Sequence, residues 1–369
     1  MAYKPSSDKV LFFTAGFLAI FGLVMVYSAS SVKAASEHGM SSYFFLRQLA
    51  FAAGGLVLMY GMMKIDYRHW QKPKVLAAFL SVCAALLLLV LTQPEINAAH
   101  RWLHFGGFTF QPSEIAKLAV LMFVAWFLHR HEGEINRFAR RLLPLGLAVG
   151  FFAVLIAVEP DLGQALCLCL IVAVLLYVAG LSWRYFAGAA AMAIPAFYYF
   201  VVKVPYRWDR IQAFRNPFED PMGTGWQITQ SLIAVGSGGL TGLGLGAGRQ
   251  KLFYLPEASS DFIFAVIGEE MGLVGTTLVV AGFLIYFLRG TRIALRSRDR
   301  FGFYLALGIT LMVTLQGFIN ISMVLAMTPT KGIALPFMSQ GGSSLWLNML
   351  ATGVLLNLSY QNKLAEGAG

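Results

Sequence analysis

Charged residues are scarce in this sequence. Only 12% of its 369 residues are Asp, Glu, Lys or Arg, whereas soluble domains average about 25%. Because 58% of the residues are hydrophobic, so few charges could not cover the apolar surface of a soluble fold. The composition excludes intrinsic disorder and a nucleic-acid-binding domain, even though the net charge is +10. It indicates an integral membrane protein with many spans.

Cysteine is almost absent, and its spacing matches no metal or redox motif. Cys83, Cys167 and Cys169 lie within apolar runs and form no C-x-x-C pair. We therefore predict buried packing residues rather than disulfides or a zinc site. Low-complexity segments and short repeats are also missing, so we expect one polytopic membrane domain over residues 1–369.

Long apolar runs separated by polar breaks predict an all-α integral membrane protein of about ten transmembrane helices. A spanning helix needs about 20 apolar residues. The first run is too long for the apolar core of a signal peptide, so we expect a retained helix. The predicted spans are residues 10–31, 43–63, 75–92, 112–129, 142–158, 162–181, 185–202, 261–288, 302–327 and 343–360.

Basic residues in the short breaks between spans predict the orientation. With the N-terminus inside, the inner breaks and the two tails carry seventeen Lys and Arg, against Lys33, Arg101 and Lys331 in the short outer breaks. Because cytoplasmic loops are enriched in Lys and Arg, both termini are predicted to be cytoplasmic. Residues 203–260 then form one long extracytoplasmic loop between the seventh and eighth spans, with an amphipathic stretch at 227–234.

Charged residues inside or beside spans are costly in a membrane and are the first candidates for function. Glu114 and Lys117 are three residues apart and share a helix face. They fit either a structural ion pair or an outward-facing polar cavity. Asp261, at the start of the eighth span, fits either a helix cap or a carboxylate that accepts a proton. The spacing does not choose between the alternatives for Glu114 and Lys117, whereas for Asp261 the residue type and position by themselves favour the helix cap.

Other candidates lie on the predicted outer face. A set of basic residues there suits a phosphate group at the outer leaflet, or the headgroups of anionic lipids. The set consists of Arg101, Lys203, Arg207, Arg210, Arg215, Arg249 and Lys251. Asp161 lies in a tight turn, where capping of the sixth span is the simpler interpretation.

Two glycine-containing stretches predict irregular backbone. Residues 238–246 lack the strand–loop–helix frame of a nucleotide site, so they indicate close-packed backbone or a hinge. Residues 335–344, which include Ser343, interrupt the apolar pattern before the last span. Such backbone is tolerated at membrane depth only where it lines a cavity or is buried in protein.

These segments together resemble the SEDS family (shape, elongation, division and sporulation). Their order and spacing hold across nearly the whole chain, which is more specific than any single motif. Gly268-Glu269-Glu270 looks more like the division-type branch than the elongation-type branch. The matching segments are Tyr27-Ser28-Ala29-Ser30, Arg101-Trp102, Gln111-Pro112-Ser113-Glu114, Glu159-Pro160-Asp161-Leu162-Gly163, Gly225-Trp226-Gln227, residues 238–246, Leu255-Pro256-Glu257, Asp261-Phe262-Ile263-Phe264 and Gly341-Gly342-Ser343-Ser344.

The resemblance implies a peptidoglycan glycosyltransferase that polymerises lipid II at the outer face of the cytoplasmic membrane, for septal wall synthesis in cell division. It implies an inverting transfer with Asp261 as the general base. The expected partners are a class B penicillin-binding protein and other division membrane proteins, and not nucleic acid. No cofactor follows from the residues, and Mg²⁺ and Mn²⁺ are the candidates. The expected substrate contacts are Arg101, Glu114, Lys117, Asp161, Arg210, Arg249 and Ser343.

Three alternative functions fit the same residues. A lipid II flippase would depend most on mid-membrane charges such as Arg47, and little on Asp261. A non-catalytic scaffold of the division complex would retain its function when Asp261 is replaced by Asn. An elongation-type polymerase is the third alternative.

Overall fold

The computed structural model describes residues 7–94, 101–105 and 108–367. The described residues form twelve α-helices, one 3₁₀-helix at Tyr67–Gln71, and two π-helical segments at Phe138–Leu142 and Tyr198–Val202. Two short antiparallel strands, β1 (Leu103–Phe105) and β2 (Phe108–Phe110), pair His104 with Thr109. The helices are α1 (Lys9–His38), α2 (Tyr43–Lys64), α3 (Pro73–Val90), α4 (Pro112–Arg130), α5 (Leu143–Val158), α6 (Leu162–Val178), α7 (Trp183–Phe197), α8 (Pro205–Arg215), α9 (Trp226–Ser237), α10 (Ile263–Leu295), α11 (Arg300–Val324) and α12 (Gly342–Gly367).

Each of the ten predicted spans coincides with a helix, so the all-α membrane fold is confirmed. Among the described residues, eight helical segments are long and apolar enough to cross a membrane. The two others are α6, with 17 residues, and α12, which is longer but more polar. Because α12 is surrounded by other helices, its polar groups bond within the protein. Asn357, for example, donates through Nδ2 to the carbonyl oxygen of Met63 at 2.9 Å.

The two ends of the described chain lie at the same face of the bundle. Asp8 precedes α1, and Asn362 lies near the end of α12, yet both line one cleft. Arg289, near the end of α10, donates through Nε to Asp8 Oδ2 at 3.0 Å. This face also carries the arginine-rich link between α10 and α11, which agrees with the cytoplasmic placement of both termini.

Residues 203–260, predicted as a loop, contain two helices, α8 and α9. The amphipathic stretch at 227–234 lies within α9, whose buried face packs against α10 and α11. Ser231 on that face donates through Oγ to the carbonyl oxygen of Val324 at 2.8 Å. This bond satisfies one of the carbonyl groups that the C-terminus of α11 leaves without a helical partner.

The helix α10 is broken at Gly272, a second break besides the one predicted before the last span. Gly272 has φ 61° and ψ −153°, a conformation that is essentially restricted to glycine. The Leu273 N–H donates to the Gly239 carbonyl oxygen, and the Leu243 N–H donates to the Glu269 carbonyl oxygen, both at 3.0 Å. Residues 238–246 therefore fill the break as close-packed backbone, as their glycine content predicts.

Candidate functional site

Asp261 lies in non-helical backbone immediately before α10. The helix-cap interpretation of this residue is wrong, because Phe262 occupies the cap position and α10 has no side-chain cap bond. Asn320 of α11 fixes the backbone here, donating through Nδ2 to the carbonyl oxygens of Asp261 and Ile333 at 2.7 Å each. No described residue hydrogen-bonds the Asp261 carboxylate, which is partly exposed and therefore open to a ligand.

Two arginines converge on this carboxylate around the segment 330–332. A Cβ atom built on Gly332 would lie 3.4 Å from both Arg101 Nη1 and Asp261 Oδ2, so the two groups border the same small space. Arg210 of α8 donates through Nη1 to the Thr330 carbonyl oxygen at 3.3 Å. Three of the predicted site residues, from distant parts of the sequence, therefore meet at one place.

The surroundings of Asp261 suit proton transfer. Burial raises the pKa of its carboxyl group to about 7, and the negative charges of Glu257 and Asp161 act in the same direction. Arg101 and Arg210 oppose this rise. A carboxylate whose pKa lies near neutral pH is well matched to general base catalysis, and perturbed carboxyl groups in clefts are frequent at functional sites.

The turn between α5 and α6 positions Arg101. Arg101 donates through Nη2 to the Pro160 carbonyl oxygen, and its Nε lies 4.0 Å from Asp161 Oδ2. Asp161 also caps α6, because its Oδ1 accepts the Gln164 N–H at 3.2 Å, as predicted. Its second oxygen accepts a hydrogen bond from Gln111 Nε2 at 3.0 Å. Asp161 is thus a cap and a support for Arg101 at once.

Glu159, in the same turn, is absent from the predicted site. Its side chain is fully buried, and neither carboxylate oxygen has a hydrogen-bond partner among the described residues. Burial raises its pKa to about 9, the Asp161 charge contributes, and Arg101 opposes. The carboxyl group is therefore neutral at pH 7. The sequence pointed to Glu159 only as one of two acids in the turn and as part of the segment Glu159-Pro160-Asp161-Leu162-Gly163 that resembles the family.

Glu114 and Lys117 form a closed ionic network inside the bundle. Lys117 Nζ lies 3.1 Å from Glu114 Oε2 and donates to the side-chain oxygens of Gln164 at 2.6 Å and Gln316 at 2.8 Å. Gln164 in turn donates through Nε2 to Glu114 Oε1 at 2.8 Å. Lys117 is fully buried and Glu114 almost so. This geometry favours the structural ion pair that joins α4, α6 and α11.

The remaining predicted site residues lie in different places. Ser343, buried at the start of α12, accepts the Gln111 N–H at 3.4 Å and is linked through Gln111 to Asp161. Arg249 is exposed, and its backbone N–H, rather than its guanidinium group, donates to Glu269 Oε1 at 2.7 Å, eight residues beyond Asp261.

A second charged cluster lies beside the break in α10. Glu270 accepts hydrogen bonds from Lys251 Nζ at 2.6 Å and from Ser28 Oγ of α1 at 2.6 Å. It also accepts the Gly246 N–H at 3.0 Å. Glu269 and Glu270 therefore hold the 238–251 segment against α10, which is a structural use of both buried carboxylates.

Sequence relatives cover nearly the whole chain. The family model for the FtsW, RodA and SpoVE cell cycle proteins matches residues 8–364. A Geobacter sulfurreducens protein named probable peptidoglycan glycosyltransferase FtsW is 43% identical over 360 residues, which is 96% of each chain. The stage V sporulation protein E of Bacillus subtilis (strain 168) is 42% identical over 361 residues, covering 96% of this chain and 98% of that one.

Solved structures agree with this relationship. A chain from a peptidoglycan synthase complex that coordinates polymerization and crosslinking superposes with a TM-score of 0.79 at 26% identity, over 96% of this chain and 98% of that one. The rod shape determining protein RodA of Thermus thermophilus gives a TM-score of 0.69 at 26% identity, over 96% of both chains. This chain belongs to the FtsW/RodA/SpoVE family of cell cycle proteins.

Proposed function

We propose that this protein is a peptidoglycan glycosyltransferase that polymerises lipid II, with Asp261 as the general base. The observation that carries the proposal is the Asp261 carboxylate, which is partly exposed, free of hydrogen bonds to described residues, and flanked by Arg101. Relatives at 42–43% identity over nearly the full length bear the name peptidoglycan glycosyltransferase. The family and the site geometry therefore support the same reaction class.

The proposed reaction is a single displacement. The hydroxyl oxygen of the glycosyl acceptor attacks the anomeric carbon of the donor, and the bond from that carbon to the lipid pyrophosphate breaks. The hydroxyl proton passes to the Asp261 carboxylate, and the bonding electrons leave with the pyrophosphate. One direct attack on an α-linked donor gives a β-linked product, so the transfer inverts. General base catalysis of this kind typically contributes 10²–10⁴-fold to the rate.

The leaving pyrophosphate gains negative charge, which nearby cations can stabilise. Arg101 and Arg210 are proposed for this role, since both lie at the Asp261 carboxylate and guanidinium groups match phosphate oxygens. Asp161 positions Arg101 through the contact between its carboxylate and Arg101 Nε, and Gln111 holds that carboxylate by a hydrogen bond. Glu114, Lys117 and Ser343 support this face from within the bundle, and Arg249 is left as a more distant substrate contact on the exposed loop.

A divalent cation fits the site only with help from the substrate. The described residues contain no group of three or more His, Cys, Asp or Glu that could hold a metal by themselves. Mg²⁺ often binds through one or two carboxylates together with substrate phosphates. The open Asp261 carboxylate would hold Mg²⁺ or Mn²⁺ in that way, and the ion would supply positive charge to the leaving group.

The setting proposed for this activity is the outer face of the cytoplasmic membrane at the division septum, together with a class B penicillin-binding protein and other division membrane proteins. The FtsW names of the relatives support the division role. The match to a chain from a peptidoglycan synthase complex supports a partner of the crosslinking kind.

The flippase alternative receives less support from the geometry. The buried charges of Glu114, Lys117, Lys251 and Glu270 are paired with one another inside the described bundle. Among these four residues, no charge is left unpaired for a transported anion.

The test is lipid II polymerisation by the purified protein in detergent, with and without a class B partner and with Mg²⁺ or Mn²⁺ varied. Asp261→Asn should lower the rate at least 100-fold. Glu219→Gln, an exposed carboxylate of the 203–260 segment, is the matched control and should retain wild-type activity. Thermal melting of each variant checks that it is folded.

The outcomes separate the alternatives. If folded Asp261→Asn polymerises lipid II as fast as wild type, the base assignment is wrong. If wild type makes no glycan under any condition while it moves lipid II across a vesicle membrane, the flippase function replaces the proposal. If it does neither but still binds its partner, the scaffold function does.

A further inference from the structure

A basic cleft lies at the opposite end of α10 from Asp261, at the face that carries both ends of the described chain. Three elements contribute to it: the residues before α1, the end of α10 and the end of α12. The charged residues in its lining are Asp8, Arg289, Arg292, Arg296 and Lys363.

The cleft contains more positive charge than the described residues neutralise. Its one carboxylate, Asp8, is already bound by Arg289, whose Nε donates to Asp8 Oδ2 at 3.0 Å. Arg292 and Arg296 are exposed, and their guanidinium groups make no ion pair or hydrogen bond with any described residue. Because Arg292 lies in the last turn of α10 and Arg296 caps that turn four residues later with helical backbone, the two side chains share one helix face.

The wall of the cleft is formed where the end of α10 packs against the end of α12. Asn362 is buried in its wall and donates through Nδ2 to the carbonyl oxygen of Ile293 at 3.1 Å. Arg298, just beyond α10, donates to the carbonyl oxygen of Ala365. These bonds tie the last turns of the two helices together.

We propose that this cleft binds the phosphate-bearing headgroup of an anionic phospholipid in the cytoplasmic leaflet. Guanidinium groups bind phosphate through paired, charge-assisted hydrogen bonds. Basic pockets between transmembrane helices on the cytoplasmic side are suited to anionic headgroups. Phe13, in the second turn of α1, and Leu288, next to Arg289 in α10, are 69% and 55% exposed, so the helices that form the cleft carry apolar surface that acyl chains can contact. That surface favours a lipid over free phosphate.

The test compares lipid binding by purified protein in detergent micelles. Native mass spectrometry measures retained phosphatidylglycerol against phosphatidylcholine, and thermal melting measures stabilisation by each lipid and by inorganic phosphate. The variant is Arg292→Gln/Arg296→Gln. The matched control is Arg140→Gln/Arg184→Gln, which removes two exposed arginines assigned to the same face but outside the cleft.

We expect wild type and the control to retain phosphatidylglycerol and to melt at a higher temperature with it than with phosphatidylcholine. The cleft variant should bind phosphatidylglycerol about 30-fold more weakly, the equivalent of about 2 kcal/mol for two cations near the surface. Melting without added lipid confirms that the variant is folded. Equal retention by the cleft variant and wild type would overturn the proposal. Equal stabilisation by inorganic phosphate and phosphatidylglycerol would overturn the lipid assignment. Either result would leave the assignment of Asp261 untouched, because the cleft lies at the other end of α10.

Discussion

The Glu114–Lys117 pair offers a direct test of whether a buried charge in this family member is structural. Lys117→Met keeps the length of the side chain but removes its ammonium group. Three acceptors within 3.1 Å then lose their donor, namely Glu114 Oε2, Gln164 Oε1 and Gln316 Oε1. Because an uncompensated charge remains buried, the free energy of unfolding should fall by about 3–5 kcal/mol.

Removing the second charge should reverse most of this loss. In Glu114→Gln/Lys117→Met no charge stays buried, and the new amide oxygen can still accept the hydrogen bond from Gln164 Nε2. Replacing both members of a buried pair is often close to neutral. Leu118→Met, on the same helix and equally buried, is the control and should change the free energy by less than about 1.5 kcal/mol.

Equilibrium unfolding in mixed micelles measures these free energies, and lipid II polymerisation is measured on the same preparations. If Lys117→Met unfolds like Leu118→Met, the contacts do not have the energetic role that their geometry implies. If the double variant recovers both stability and polymerisation, the pair is structural. Recovery of stability alone would assign the pair a part in the reaction.

Three other perturbations address the site and the break in α10. Asp261 must be ionised to accept a proton, and the pKa of its carboxyl group is about 7. The polymerisation rate should therefore fall about tenfold for each pH unit below that value. A rate that stays flat from about pH 5 to 8 would contradict the base role. The folded protein holds a proton on Glu159 up to about pH 9, whereas the unfolded chain loses it near pH 4.5, so stability falls as pH rises through that window. Glu159→Gln should remove this pH dependence and raise the free energy of unfolding by about 3 kcal/mol at pH 7. If the variant and wild type show the same pH dependence of the free energy of unfolding across this window, the prediction is refuted. In Gly272→Ala the new Cβ would lie 2.5 Å from the Gly242 nitrogen, and the φ at this position strains any residue other than glycine, so the melting temperature should drop. The control is Gly236→Ala in α9, where the new Cβ meets open space. It should change the free energy of unfolding by no more than about 1 kcal/mol.

The membrane spans could be predicted because their signal is local. A run of about 20 apolar residues is sufficient to identify a spanning helix, and the basic residues at its ends orient it. The helices α8 and α9 lack this signal, since they are short and one of them owes its stability to packing against α10 and α11. Only the amphipathic part of α9 could be anticipated from the sequence.

The break at Gly272 could not be predicted because the groups that satisfy it are remote in sequence. An isolated glycine in an apolar run is compatible with a continuous helix. What makes the interruption stable is the backbone near Gly239 and Leu243, about 30 residues earlier, which exchanges hydrogen bonds with both sides of the break. The glycine content of 238–246 indicated close packing but not the helix that it contacts.

The residue types in the sequence identified candidates for the site, but they did not show where each side chain lies in the fold. Arg101 and Arg210 do act on Asp261, while Arg249, equally basic and closer in sequence to Asp261 than either arginine, is held by its backbone N–H at Glu269. Neutral residues such as Asn320, Gln164 and Gln316 carry much of the organisation. They have no distinctive sequence pattern, and only their contacts identify them.

Asp261 stands on irregular backbone, yet that backbone is held by side chains rather than left loose. Asn320 joins the Asp261 and Ile333 carbonyl oxygens, and Ser339 Oγ donates to the carbonyl oxygen of Ser260 at 2.6 Å. The two non-helical segments before α10 and α12 are therefore bonded to each other on either side of the carboxylate. A helix would satisfy its own backbone but would point each side chain in a fixed direction. Irregular backbone that is satisfied by neighbouring side chains lets the carboxylate face the arginines while it stays fixed, which is the arrangement that a pre-positioned base requires.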